Sequence, residues 1–170
     1  MQFNVSQLLK EPIGAARDYD VDEAVAIDGE PRRLRGRVEL VRTDLGVLAR
    51  ATLTGTAHIE CSRCLAPIHQ MERLVLEEEF IPEADPISSA VVADAGDPGA
   101  LVIDSRRILD LTEVIRQTAV LEEPMWALCR PDCAGLCPTC GRNRNEEPCD
   151  CRPKGSDWRA LEGLRRLQER

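Results

Sequence analysis

The chain has 170 residues, a formal net charge of -8, a hydrophobic fraction of 43% and only 3% aromatics. This is enough for one domain with a small appendage, built on a core of Val, Leu, Ile and Ala. The acidic balance argues against a general phosphate-binding surface, and no apolar run is long enough to cross a bilayer.

The opening MQFNVSQLLKEPIG lacks the basic-then-apolar order of a secretory leader. The expectation is therefore a cytoplasmic protein whose thiols stay reduced. The charge is uneven. Residues 1–128 carry 13 basic and 23 acidic groups, whereas 129–170 carry 9 and 7.

In chain order, FNVSQLLK at 3–10 predicts a short helix opening near Ser6 and ended by Pro12 and Gly14. Residues 18–27 alternate weakly, with Tyr19, Val21, Val25 and Ile27 on one face, before a turn marked by Gly29 and Pro31. Over 33–43, Leu34, Val38 and Leu40 share one face and Arg33, Arg35 and Arg37 the other. After a turn at Asp44–Gly46, VLARATLTGTAHIE at 47–60 puts Val47, Ala49, Ala51, Leu53, Ala57 and Ile59 on one side. These two segments predict a hairpin. Residues 68–81 read as a third long strand through Leu74, Leu76 and Phe80; the Glu run at 77–79 makes helix the competing reading.

Residues 82–99 hold three of the eleven prolines and predict a flexible loop. A short strand at 100–103 follows. Asp110 is placed to cap a helix, with Glu113 at the capping-box position and Leu111, Val114, Ile115 and Ala119 as its apolar stripe. Pro124 ends it. After the cysteine-rich stretch 129–151, Ser156 or Asp157 caps a last helix bearing Trp158, Leu161 and Leu164. The layout predicts an α+β protein: an antiparallel β-sheet of a long hairpin plus further strands, one or two packed helices, and a C-terminal zinc knuckle. The expected division is a sheet domain over 1–128, with the knuckle and terminal helix at 129–170 packed on it.

The eight cysteines fall into four short pairs: Cys61-x-x-Cys64, Cys129-x-x-x-Cys133, Cys137-x-x-Cys140 and Cys149-x-Cys151. A tight turn between two cysteines aims both sulfurs at one ion, so four pairs suffice for two tetrahedral zinc sites. Cys137, Cys140, Cys149 and Cys151 make the first expected tetrahedron, with Gly141 supplying a positive φ behind the CPTC turn. Joining Cys61 and Cys64 to Cys129 and Cys133 makes the second; a crossed grouping fits the spacings equally well. Four thiolates would fill the zinc shell, which points to structural rather than catalytic ions. His58 and His69 flank the first pair and read as solvated strand residues rather than ligands.

Arg33, Arg35 and Arg37, with Arg32 and Arg42 adjacent, form the clearest basic patch. Alternate strand residues project about 7 Å apart, a spacing that suits an RNA phosphate backbone. The competing reading is a solvated face paired with acids. Arg159, Arg165, Arg166 and Arg170 form a second basic group. The sequence has neither a Gly-rich phosphate loop nor a nucleophile elbow.

The order of these pieces is a long hairpin, then CSRCL, then a Glu-rich strand ending EEFIP. After an acidic loop come ILDLTEVIRQTAVLEEPM, CRPDCAGLCPTCGRNRNEEPCDC and SDWRALEGL. Together they resemble the bacterial YceD family, the large ribosomal RNA subunit accumulation proteins, over Arg33 to Leu164. Ser156-Asp157-Trp158 departs from the family's usual Asp-Pro-Arg-Trp ending. The resemblance implies a non-enzymatic role in synthesis, processing or stability of large-subunit ribosomal RNA. It implies as partner a ribosomal RNA precursor or a ribosomal protein, with neither a membrane nor a small-molecule substrate. The alternatives are a zinc-ribbon nucleic-acid-binding or transcription-associated module, and a thiol redox enzyme or zinc-dependent hydrolase.

Overall fold

A computed structural model describes residues 1–84 and 101–151. Most of the loop expected at 82–99 lies outside the described residues. So do the expected terminal helix and its arginines Arg159, Arg165, Arg166 and Arg170. The chain divides into two compact units. The first joins Met1–Ile59 to His69–Met125; the second joins Glu60–Ile68 to the segment from Trp126 onward.

The first unit is built on a five-stranded sheet in the order β2-β3-β4-β5-β6, where β2 is Ala16–Ile27, β3 Glu30–Arg42, β4 Val47–Glu60, β5 Pro67–Pro82 and β6 Val102–Ile103. The β2/β3 turn consists of Asp28 and Gly29, with φ of 51° and 85°. Two successive positive φ values match the right-handed twist of the strands, which is why an Asp-Gly pair closes this hairpin. β3 pairs antiparallel with β4 from Arg35↔Thr54 to Arg42↔Val47. Contacts between β4 and β5 also run in opposite order, Arg50 meeting Glu77 and Thr56 meeting Met71. The segment at 68–81 is thus strand, not helix.

The sheet differs from the expectation in one respect. β6 pairs parallel to β5, Ile81 opposite Val102, so the sheet is antiparallel except at that edge. Two sequence-level expectations near the start of the chain and at the helix also need correction. Residues 3–10 do not form a helix. Gln2–Asn4 is a strand, β1, paired antiparallel with β7 (Ile108–Asp110), and only Leu8–Lys10 makes a 3-10 turn. Pairing of Phe3 with Leu109 across more than a hundred residues overrides local helix propensity. The α-helix α1, Thr112–Glu122, begins one residue later than expected, with Leu111 at its N-cap. Asp110 still accepts the Thr112 N–H at 2.8 Å, whereas Glu113 turns outward to Arg116 and Gln117 instead of closing a capping box.

Alternation sets the core. Along β4, Val47, Ala49, Ala51, Leu53 and Ala57 are buried while Arg50, Thr54, Thr56 and His58 are exposed. Leu34, Val38 and Leu40 of β3, Leu74, Leu76 and Phe80 of β5, and Val114, Ile115 and Ala119 of α1 join Val47, Ala49, Ala51 and Leu53 in one cluster. Gly36 lies between Arg35 and Arg37 because a side chain there would run into the Thr52 carbonyl of the neighbouring strand.

Candidate metal centres

In the second unit the eight sulfurs gather into two groups of four, Cys61, Cys64, Cys129 and Cys133 in one and Cys137, Cys140, Cys149 and Cys151 in the other. Within each group the ligand atoms all lie within 4.8 Å of one another. The Cys61 and Cys133 sulfurs are 3.8 Å apart, and those of Cys64 and Cys129 are 3.6 Å apart. An ion with metal–sulfur distances of ~2.3 Å sets tetrahedral edges of about 3.8 Å, whereas a disulfide needs about 2.0 Å. All eight cysteines are free. The donor chemistry and the spacing both fit a metal ion in each group. Among the described residues these groups contain only cysteines. His58 and His69 instead pack edge to face, ring centroids 4.6 Å apart, on exposed positions of the first unit.

Each group is built on the same local device. In Cys137-Pro-Thr-Cys140-Gly141, Gly141 has φ 72° and its N–H donates to the Cys137 carbonyl at 2.8 Å. In Cys61-Ser-Arg-Cys64-Leu65, Leu65 has φ 61° and its N–H donates to the Cys61 carbonyl at 2.9 Å. The turn after each second cysteine demands a left-handed residue. Glycine meets that demand without strain; leucine does not. Leu65 is 58% exposed, so its side chain adds little packing. Replacing Leu65 with Gly is expected to leave metal content unchanged and to stabilise the loaded protein by up to about 1 kcal/mol, read as a raised denaturation midpoint.

Backbone amides favour the thiolate at Cys61 and at Cys137. The Cys61 thiol is pushed down to about 6, chiefly by the backbone of Cys129. Cys137 is pushed down to about 6, chiefly by the backbone of Cys140. Cys133 is lowered as well, its burial outweighed by the Asn145 amide and the Gly135 backbone, but other members of each group resist ionisation. Burial, with Cys64 and Cys133 alongside, pushes Cys129 up to about 12, and Cys140 together with burial pushes Cys151 up to about 12. A divalent cation reverses that opposition by neutralising the clustered thiolates.

Apolar support for the first group is slight. Among the described residues, Cys61, Cys64 and Cys133 are buried with only Ala66, Ile68 and Leu136 packed against them. Polar links fix the rest. Ser62 N–H donates to the Ala127 carbonyl at 2.8 Å, the Ser62 hydroxyl accepts from Ala127 N–H at 3.2 Å, and the Arg63 guanidinium donates to the Cys133 carbonyl at 2.9 Å.

Arg33, Arg35 and Arg37 project from one side of β3, each about two-thirds exposed. All three are already bonded to carboxylates of β2. Arg33 grips Asp22 with two bonds of 2.6 and 3.0 Å, Arg35 reaches the same Asp22 at 3.0 Å, and Arg37 reaches Asp18 at 3.0 Å. The two guanidiniums, Arg33 first, hold the Asp22 carboxyl below the usual range. Arg32 and Arg42 do not join this face. Arg42 braces the turn after β3 by donating to the Thr43 and Gly46 carbonyls.

Arg32 is buried on the core side, 7% exposed, between Glu72 at 3.3 Å and Glu123 at 2.6 Å. Sequence reasoning missed this triad. The available signal was parity: Arg32 alternates with Leu34, Val38 and Leu40, not with Arg33 and Arg35.

A sequence model of the family described as large ribosomal RNA subunit accumulation protein YceD matches residues 49–165. An uncharacterized protein of Mycobacterium tuberculosis is 38% identical over 127 residues, covering 74% of this chain and 58% of the relative. One from Mycobacterium leprae is 36% identical over 127 residues, covering 74% of this chain and 55% of its own length. A chloroplastic YCED homolog 1 of Zea mays, named as a large ribosomal RNA subunit accumulation protein, is 28% identical over 153 residues, covering 76% of this chain and 49% of the relative. The chain thus spans about half the length of the curated relatives it matches. No solved structure matches. Among the described residues no helix is long and apolar enough to cross a membrane. The match over residues 49–165 takes in β4 from Ala49 onward, β5, α1 and every cysteine of both sulfur groups, and by it the chain belongs to the YceD family of large ribosomal RNA subunit accumulation proteins.

Proposed function

We propose that this protein is a non-enzymatic cytoplasmic factor in the synthesis, processing or stability of large-subunit ribosomal RNA, with two structural zinc ions holding its cysteine-rich unit. The observation that carries this reading is the match of residues 49–165 to the accumulation family. Zinc is favoured because all-thiolate tetrahedra select a soft or borderline ion and leave no open position for substrate. All eight cysteines serve as ligands, and 129–151 depends on those ions for its shape.

The direct partner is a large-subunit RNA precursor or a ribosomal protein. The acidic residues of 1–128 suit a basic protein surface. The arginines at 33, 35 and 37 suit phosphates if they exchange their present carboxylates. That exchange costs little, because exposed ion pairs contribute only ~0–1 kcal/mol each.

The test is to deplete the protein in cells and to fractionate ribosomal particles on a gradient. Large-subunit RNA should fall relative to small-subunit RNA, and the tagged protein should co-sediment with large-subunit precursors. Normal RNA levels together with absence from every ribosomal fraction would sink the proposal. A tight, salt-sensitive complex with duplex DNA would instead favour a zinc-ribbon module.

A further inference from the structure

We infer that the two metal sites are energetically coupled through Asn145, so that filling either one strengthens the other. This rests on the reading of the two sulfur groups as metal sites. Asn145 is not a ligand. It lies in the chain between Cys140 and Cys149, inside the loop that an ion at the second site closes. Its side chain nevertheless serves the first site, donating from Nδ2 to the Cys133 sulfur at 3.3 Å.

The orientation of this amide is fixed by its other partners. Oδ1 accepts the Ala134 backbone N–H at 2.8 Å and the Arg130 guanidinium at 2.7 Å, which leaves Nδ2 for sulfur. The second Nδ2 hydrogen goes to Asn143 Oδ1 at 2.7 Å. Both donors and the acceptor are therefore used, and flipping the amide would set Nδ2 against a backbone N–H.

The segment that presents Asn145 is a small hairpin. Leu136 bridges Asn143, Cys137 N–H donates to the Arg142 carbonyl at 2.8 Å, and Arg144 N–H donates to the Gly135 carbonyl at 2.9 Å. The turn of this hairpin carries Cys137 and Cys140, two ligands of the second site. An ion there closes the hairpin and the loop after it, and so removes the entropy that Asn145 would otherwise lose on docking. In the other direction, an ion at the first site fixes Cys129 and Cys133. It thereby orders Arg130 and Ala134, the two donors that hold Asn145. Coupling of this kind is reciprocal by thermodynamic necessity. Partners that hydrogen-bond a ligand typically change metal affinity ~10–100-fold.

The experiment titrates the full chain with buffered Zn²⁺ and reads each site separately, by protection of its own cysteines from alkylation resolved by peptide mass. Five chains are compared with the unaltered one: Asn145→Ala, the second site disabled by Cys149→Ser with Cys151→Ser, the first site disabled by Cys129→Ser, and each disabled chain combined with Asn145→Ala. Whichever site fills second should need ~10–100-fold more free Zn²⁺ once its partner is disabled. Asn145→Ala, which keeps all eight ligands, should impose the same shift, and combining it with the disabled partner should add nothing further. Unchanged midpoints in both disabled chains would overturn the inference. So would shifts that simply add in the combined variants. If the unaltered chain protects both cysteine groups but the sites fill independently, only the coupling fails. If it protects neither at any Zn²⁺ concentration, the metal reading falls with it.

Discussion

Removing metal with a chelator at neutral pH is expected to unfold the segment from Trp126 to Cys151 while the sheet of the first unit keeps its strand signal. The reason is the imbalance between what holds each unit. The first has a buried cluster running from Val25 to Ala119 through every strand of the sheet. The first sulfur group has three buried cysteines supported by Ala66, Ile68 and Leu136. Structural zinc contributes roughly 10–16 kcal/mol of apparent binding free energy in small zinc-binding peptides, as much as the whole stability of a typical domain. No apolar cluster of this size replaces that. Native mass spectrometry should show two ions on the intact protein and one after Cys61→Ser or Cys149→Ser. Limited proteolysis should cut within 126–151 only after chelation. A chelated protein that still resists cleavage there, with all thiols reactive, would refute the structural role assigned to the ions.

The second large effect lies in the first unit. Arg32→Met is expected to cost about 3–5 kcal/mol near pH 7.5, because it leaves two carboxylates without their buried counter-charge. Glu72 carries most of this. Its side chain is only 10% exposed, and among the described residues its Oε1 has no hydrogen-bond partner. Burial pushes its carboxyl above the ordinary range, with Arg32 pulling it back down. The native state therefore holds this proton more tightly than the unfolded chain does. As pH rises from the unfolded carboxyl value of about 4.3 through the higher folded value, stability from this group is lost. Without Arg32 the folded value climbs further and the window widens. The cost of the variant should be small near pH 4.5 and reach its full size at neutral pH. Urea unfolding of both proteins across that range checks this. A loss below 1 kcal/mol at pH 7.5, or one independent of pH, would mean the triad does not carry the stability assigned to it.

Strands were legible in proportion to their alternation. The segment 47–60 coincides with β4 because one face is uniformly Val, Ala, Leu or Ile apart from Gly55, and the other polar apart from Leu48. The helix was legible through its 3.6-residue stripe, but its start slipped by one because Asp110 also belongs to β7. β1, β7 and the parallel pairing of β6 left little local trace, since three- and two-residue strands exist only through partners distant in sequence. The arginine stripe was visible as a pattern and its pairing with acids was one of two readings, but which acids meet it was not legible. Asp18 and Asp22 meet it only because the β2/β3 hairpin closes at Asp28-Gly29 and fixes the register.

By itself the sequence determined the ligand chemistry. Four close cysteine pairs and a left-handed glycine after CPTC encode turns fit to hold a metal, because the distance between two sulfurs a few residues apart is set locally by the backbone. Which pairs come together was settled by long-range packing. That depends on Glu60–Ile68 being placed with the segment from Trp126 onward, so that Cys61 and Cys64 meet Cys129 and Cys133. It also decided that Arg32 is a buried ion and that Asn145 touches a sulfur. Contacts between residues far apart in the chain depend on how the whole molecule packs, and spacing alone does not specify them.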